Sequence, residues 1–328
     1  MAFSHTFVVP SHNQARYLPA TLDALLAQVE PSQIVVSEDF STDESPAIAR
    51  AYADKHPGRI RLTQPPEHKG MFPNWNWGLG LVQTEWASIM GADDIALPEF
   101  SAVIRQGAAK SSNAVVVCAN WDFIDGDDKF LFSEKVLSLP EVGHPPDTFY
   151  RLLAANKIHA AAHAFRTDIW KKVGGFPEIL HFYGDWAFWL SVAPLGDIVH
   201  MKRTIARYRV GYRPGIANAR MHQQFADEVT MQMELIPRIA ATIVDVQPER
   251  LRAAGRRRLR HSLHHITTVT EPAERPAVAR IVEPWAATLG PRAVALVQRF
   301  ERGQPIPLDW FETWVRQPAR RVYKSLRR

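Results

Sequence analysis

The chain has 328 residues, 46% of them hydrophobic and 22% charged, with a formal net charge of +5. This composition excludes a disordered polymer or a disulfide-stapled scaffold, and it supplies core material for one large domain or two ordinary ones. Residues 250–328 carry 17 Lys+Arg against 6 Asp+Glu, and residues 1–249 carry 22 against 28, so the body is acidic; that argues against nucleic acid as a partner and leaves a basic tail suited to an anionic surface or a subunit contact.

The first two-thirds alternate strand and helix signals. Residues 3–10 read as a strand, and residues 21–29 as a helix with leucines at 22, 25 and 26. Residues 33–37 form a second strand. Ser41-Thr42-Asp43-Glu44 then matches a capping box ahead of an alanine-rich helix reaching about Lys55. A third strand covers residues 59–63, a helix residues 72–82, and a fourth strand residues 86–90. Another helix begins at Pro98, and residues 114–119 make a fifth strand. This rhythm predicts an α/β fold with a mostly parallel central sheet covered by helices. In such sheets ligands bind beyond the carboxyl ends of the strands.

Residues 120–150 read as loop-rich. Their acidic turn, Asp125-Gly126-Asp127-Asp128, suits a hairpin tip better than a calcium loop, because too few oxygen ligands follow it. From Arg220 onward helix signals dominate, interrupted by prolines. The expected division is 1–220 for the α/β domain and 221–328 for a basic helical extension. The one cysteine, Cys118, sits in an apolar strand and reads as a core thiol. No basic leader precedes an apolar core at the N-terminus, and no apolar stretch reaches bilayer length. A cytoplasmic location is therefore expected, peripheral on the membrane if the tail binds lipid.

Three acidic clusters carry the chemistry. Glu38-Asp39 ends the second strand, Asp93-Asp94 follows the fourth, and Asp185 lies between aromatics in Tyr183-Gly184-Asp185-Trp186. Adjacent carboxylates are costly to bury unless a cation neutralises them, and a divalent metal carrying a diphosphate meets that need. Lys69, beside Gly70, suits either phosphate neutralisation or a solvated surface. Trp75 and Trp77 cannot both face the core at their spacing. Asp185 fits either a helix cap or a desolvated general base, with Tyr183 and Trp186 placed to stack on a sugar.

These pieces, in order, resemble the family 2 glycosyltransferases, inverting enzymes of the GT-A fold, over roughly residues 3–215. The resemblance rests on Phe7-Val8-Val9-Pro10-Ser11-His12-Asn13, on Val35-Val36-Ser37-Glu38-Asp39-Phe40-Ser41-Thr42-Asp43 and on Asn74-Trp75-Asn76-Trp77-Gly78-Leu79. It continues through Met90-Gly91-Ala92-Asp93-Asp94, Val173-Gly174-Gly175-Phe176-Pro177 and Gly184-Asp185-Trp186. It implies that Pro10, Glu38, Asp39, Lys69 and Asp93 meet a nucleotide-sugar donor. It also implies that Asp93 and Asp94 hold Mn2+ or Mg2+, and that Asp185 deprotonates a hydroxyl on a glycan or lipid-linked glycan of surface polysaccharide synthesis. The chain departs from the family at four places, of which one is Glu38, a longer side chain in place of the first Asp of the nucleoside-binding pair. Gly91 replaces the first acid of the DXD motif, Gly184 replaces the acid before the base, and Gly211 stands where relatives carry a histidine ligand, with His222 as a substitute or a structural residue. A sugar-nucleotide pyrophosphorylase would need a glycine- and arginine-bearing phosphate loop that residues 10–17 lack. A catalytically silent donor- or glycan-binding scaffold is the alternative that Gly91 and Gly211 favour. In the tail, Trp310-Phe311-Glu312-Thr313-Trp314 and Arg320–Arg328 pair aromatics with cations. That composition suits an anionic membrane or a homo-oligomer contact.

Overall fold

The computed structural model describes residues 3–136, 139–210, 217–267 and 270–307, with the side chains of residues 217–222 outside that description. Its strands are β1 (His5–Ser11), β2 (Gln33–Glu38), β3 (Ile60–Thr63), β4 (Trp86–Ile89), β5 (Ile95–Ala96), β6 (Ala114–Ile124), β7 (Phe130–Glu134), β8 (Val142–Gly143), β9 (His163–Arg166) and β10 (Asp197–Arg209). The helices are α1 (Leu18–Leu26), α2 (Ser45–Lys55), α3 (Met71–Leu79), α4 (Phe100–Ala108), α5 (Asp147–Ala154), α6 (Thr167–Val173), α7 (Gly184–Val192), α8 (Ala217–Thr230), α9 (Ile236–Ala240), α10 (Pro248–Thr267), α11 (Arg275–Leu289) and α12 (Pro291–Glu301). Two compact units result: Met1–Phe149 with Asn156–Ile179 and Gly184–Val210, and Gly211–Arg328 with Tyr150–Ala155 and Leu180–Tyr183. A single cut after residue 220 leaves out the two short stretches that the second unit draws from earlier in the chain.

In the first unit all ten strands join one sheet ordered β3-β2-β1-β4-β9-β6-β10-β5, with β7 beside β6 and β8 beside β10. The runs Phe7-Val8-Val9 and Val115-Val116-Val117-Cys118 are wholly buried, as expected of strands covered on both faces. β1 pairs in parallel with β2 and β4, in registers such as Val8 with Val35 and Val8 with Ile89. β9 is antiparallel to both β4 and β6, and β10 is parallel to β6. The carboxyl ends of β1, β2, β4, β6 and β10 therefore lie on one edge of the sheet. Helix α3 packs closely on β1: a Cβ at Gly78 would come 2.6 Å from Val8 Cγ1, so only glycine permits that approach.

Several local expectations change. Ser41 does not cap α2; Asp43 Oδ1 accepts the Ser45 amide at 2.9 Å, while Ser41 Oγ accepts the Asn13 amide at 2.9 Å. β6 runs on to Ile124 and turns into β7, so the stretch read as loop is a hairpin. Its tip is the Asp125 turn, where Asp125 Oδ1 accepts the amides of Asp127 and Lys129 at 2.9 and 3.0 Å. Cys118 is fully buried in β6, and burial pushes its thiol up to about 12.

The second unit has its own core of Phe225, Leu259, Leu263, Val282, Trp285, Leu289 and Phe300. Gly255 lets α10 approach α11, since a Cβ there would meet Leu289 Cδ2 at 2.6 Å. Glu228 is buried in this unit. It is held by Arg258 through a pair of side-chain bonds, one of 2.9 Å, and by Ser262 Oγ at 2.6 Å. Among the described residues no helix is long and apolar enough to cross a membrane. The aromatic–basic segments at Trp310–Trp314 and Arg320–Arg328 lie outside the described residues, as do Gly211 and the side chain of His222.

Candidate active site

At the end of β2 the chain turns sharply, and two carboxylates organise the turn. Glu38 is 2% exposed. Its oxygens accept the amides of Phe40 and Ser41 at 3.1 and 2.7 Å and the Gln64 amide group at 2.9 Å. Those bonds hold Phe40 at φ 58°, a left-handed conformation that disfavours any side chain. Glu38 thus uses much of its carboxylate to hold its own turn. Asp39 is also 2% exposed. It accepts the Lys69 amide on Oδ1 at 2.7 Å and the Gly70 amide on Oδ2 at 2.8 Å, which locks the β3–α3 loop against the end of β2. Lys69 contributes its backbone here, and its ammonium pairs with Glu67 at 2.8 Å. Pro10 sits in β1 opposite Ser37, one residue before the edge. Of the two tryptophans on α3, Trp75 is buried and Trp77 is exposed, donating to Thr63 Oγ1 at 3.0 Å.

The second cluster follows β4, where the Met90 amide still bonds Val8 O at 2.9 Å. Asp93 retains some solvent contact, whereas Asp94 is 3% exposed. Burial, and then the charge of Asp93, raise the Asp94 carboxyl well above its ordinary range, and Arg209 opposes that rise. Arg209, at the end of β10, is the residue that sequence reasoning missed. Its amide donates to Asp94 Oδ1 at 3.0 Å, its Nε to Asp93 O at 2.8 Å and its Nη1 to Asp125 O at 3.0 Å. Nη2 lies 2.6 Å from Asp128 Oδ1, and the guanidinium covers the Tyr17 ring at 4.4 Å. Gly91 has a structural reason. A Cβ there would stand 2.6 Å from Asp94 Oδ2 and 2.8 Å from Asp93 Oδ1. Both carboxylates therefore converge over the space that a side chain at residue 91 would fill.

Asp185 begins α7. Its Oδ1 accepts the Trp186 amide at 2.6 Å and its Oδ2 accepts Asn156 Nδ2 at 3.2 Å. Those bonds favour the ionised carboxyl, but burial outweighs them and pushes it up to about 6. Residues close in sequence to Asp185 touch residues close in sequence to the strand-end carboxylates. A Cβ at Gly184 would meet the Phe72 ring at 2.6–2.7 Å, and Phe72 lies two residues after the Gly70 that bonds Asp39. On the other side, His159, three residues beyond Asn156, packs edge-on against Tyr208 at 4.3 Å, next to the Arg209 that bonds the Asp93 segment. Trp186 is 1% exposed and is a core residue, so the expectation that it stacks on a sugar is corrected. Tyr183 is half-buried and has Arg258 over its ring at 5.9 Å.

Comparison with known proteins agrees with this architecture. The chain is 28% identical to the succinoglycan biosynthesis protein ExoO of Rhizobium meliloti (strain 1021), over 49% of this chain and 44% of that protein. It is 29% identical to an uncharacterised glycosyltransferase of Nostoc sp. (strain PCC 7120), over 62% of this chain and 63% of that one. Both matches span less than two-thirds of the relative. Among solved structures, S. aureus TarS 1–349 in complex with UDP-GlcNAc superposes with a TM-score of 0.68 at 17% identity, over 92% of this chain and 88% of that one. The mannosyltransferase PcManGT from Pyrobaculum calidifontis, in complex with GDP-Man and Mn2+, gives a TM-score of 0.56 at 18% identity, over 98% and 83%. These superpositions show a shared GT-A fold. The sequence model for glycosyl transferase family 2 matches residues 6–174, just over half of the chain, and the protein belongs to that family.

Proposed function

We propose that the protein is an inverting transferase that moves a sugar from a nucleotide-sugar donor to a hydroxyl of a glycan or lipid-linked glycan during polysaccharide synthesis. The observation that carries the reading is Asp185, a partly buried carboxyl raised to about 6, whose neighbour Gly184 packs on Phe72 just after the loop that bonds Asp39. A carboxylate with that affinity for protons is a far better base than an exposed aspartate, yet it is mostly ionised at neutral pH. In this reading Asp185 takes the proton of the acceptor hydroxyl as that oxygen attacks the anomeric carbon. The nucleoside diphosphate departs from the opposite side, so configuration inverts. Asp39, fixed by two backbone amides, presents the nucleoside end of the cleft, and Glu38 supports it by holding the turn. The names of the relatives support the class of substrate: succinoglycan synthesis for ExoO, and complexes with UDP-GlcNAc and GDP-Man for the structural neighbours.

The donor set fits a hard divalent ion. Asp93 and Asp94 direct one oxygen each toward the same space above Gly91, and such ions take oxygen ligands. Asp93, the more exposed of the pair, would hold Mn2+ or Mg2+, with Asp94 behind it. When bound, the ion would neutralise diphosphate charge as the leaving group departs. Arg209 fixes the segment from the protein side whether or not an ion is present.

A thermal-shift screen of nucleoside diphosphates and nucleotide sugars with and without Mn2+ tests the reading, because a ligand that binds only the native state raises its melting temperature. A metal-dependent rise with one nucleobase, lost in Asp93→Ala, is expected; no rise with any nucleotide contradicts it. Donor binding with no nucleoside diphosphate release over any acceptor would instead identify a catalytically silent scaffold.

A further inference from the structure

Outside the Asp93–Asp94 pair, His12 from the β1–α1 loop, Asp39 at the end of β2 and His68 from the β3–α3 loop form a second cluster of metal-ligating groups. One donor atom from each lies within 4.8 Å of the others. His12 Nδ1 lies 2.7 Å from Asp39 O, and His68 Nδ1 lies 3.0 Å from that same oxygen and 3.1 Å from Asp39 Oδ2. The two imidazole centroids are 4.7 Å apart. Two ring nitrogens and two oxygens of a single aspartate thus share one small volume.

Asp39 is the fixed element, 2% exposed and held through both carboxylate oxygens by the Lys69 and Gly70 amides. Both histidines are exposed and stand on loops. Zinc bonds of about 2.0–2.1 Å place ligand atoms roughly 3.3 Å apart, so closing the site needs about 1.5 Å of movement. Two surface imidazoles supply that without disturbing the sheet. Imidazole with carboxylate suits zinc, nickel and cobalt, whereas an oxygen-only pair such as Asp93–Asp94 suits magnesium and manganese. The two sites therefore differ in kind.

We propose that His12, Asp39 and His68 bind a divalent ion of the zinc class. If Asp39 also meets the donor nucleoside, which rests on the function proposed above, the ion and the nucleoside compete, and zinc inhibits transfer by closing that end of the cleft.

The test is calorimetric titration of the tag-free full chain with ZnCl2, and with MnCl2 for contrast. Parallel titrations use His12→Ala/His68→Ala and Asp93→Ala, with melting curves in chelator to show that the variants are folded. One zinc per chain, weakened at least tenfold in the double-histidine variant and retained in Asp93→Ala, is expected. Wild-type zinc affinity in a folded double variant overturns the site. Uridine and guanosine, which carry no diphosphate to chelate the ion, provide the competition arm. Zinc held by the histidines but indifferent to both nucleosides would leave the metal site standing and overturn the nucleoside role of Asp39 instead.

Discussion

Asp185→Asn separates catalysis from folding more cleanly than any other substitution. The side chain keeps its shape, and the oxygen of the substituted amide still accepts the Trp186 amide that Asp185 accepts at 2.6 Å. What disappears is the charge, together with the bond that Oδ2 accepts from Asn156 Nδ2 at 3.2 Å. A rise from the ordinary 3.8 to about 6 means that ionising this group in the folded protein costs roughly 3 kcal/mol more than in the unfolded chain, at 1.36 kcal/mol per pH unit. The sign follows from proton uptake. Between the two values the folded state binds the extra proton, so the protein loses stability as pH rises through that interval, and the full cost is present above about 6. Removing the charge should therefore stabilise the first unit at pH 7.5 by at most about 3 kcal/mol. With roughly half of that realised and 2–4 °C per kcal/mol, the expected increase in melting temperature is about 3–6 °C. The gain should vanish below pH 4, where the wild-type group is protonated in both states. Turnover should fall by a factor of about 10²–10⁴ as general-base assistance is lost, and the wild-type rate should drop about tenfold per pH unit below 6. Scanning calorimetry at two pH values and a nucleoside diphosphate release assay measure the two arms. A variant that keeps more than a tenth of wild-type turnover, or a wild-type rate that is flat from pH 5 to pH 8, refutes the reasoning.

Other substitutions probe the supporting structure. Restoring an acid at the first position of the metal motif, Gly91→Asp, should weaken rather than strengthen Mn2+ binding by calorimetry and cost about 1–3 kcal/mol of stability, because its Cβ would stand 2.6 Å from Asp94 Oδ2 and 2.8 Å from Asp93 Oδ1. Arg209→Met removes the guanidinium bonds to the Asp93 and Asp125 carbonyls and the contact with Asp128, and should destabilise by about 1–3 kcal/mol in a denaturant titration; an unchanged midpoint contradicts this anchoring role. Cys118, with its thiol pushed up to about 12 by burial, should resist maleimide labelling in the native protein and react fully once unfolded.

The strand-end carboxylates were legible in the sequence because β1, β2 and β4 are nearly continuous apolar runs, and a polar residue that breaks such a run marks the edge of a parallel sheet. The hairpin of β6 and β7 was not legible. Asn120-Trp121-Asp122-Phe123 alternates polar and aromatic residues before an acidic turn, a pattern shared by an exposed strand end and a loop. Trp186 was misread for a related reason. Local composition shows aromatics beside Asp185, but α7 is buried nearly all round, with Trp186, Ala187, Phe188, Trp189 and Leu190 all inside. The turn that Glu38 holds left little trace, because two of its partners are the backbone amides of Phe40 and Ser41, which carry no sequence signal. Arg209 left only a faint trace beside Tyr208, since its bonds reach carbonyls and carboxylates 84 to 116 positions away. The glycines at 91 and 184 looked like losses of function in the sequence, whereas each occupies a position where a Cβ would collide with a neighbour.

The most direct test of the account is acceptor-dependent release of nucleoside diphosphate from the nucleotide sugar that gives the largest thermal shift, measured with Mn2+ and with chelator for the wild type, Asp93→Ala and Asp185→Ala. Release that requires Mn2+ and acceptor in the wild type and is absent from both folded variants is the predicted result. Undiminished release by either variant contradicts the assignment of these two carboxylates to the chemistry.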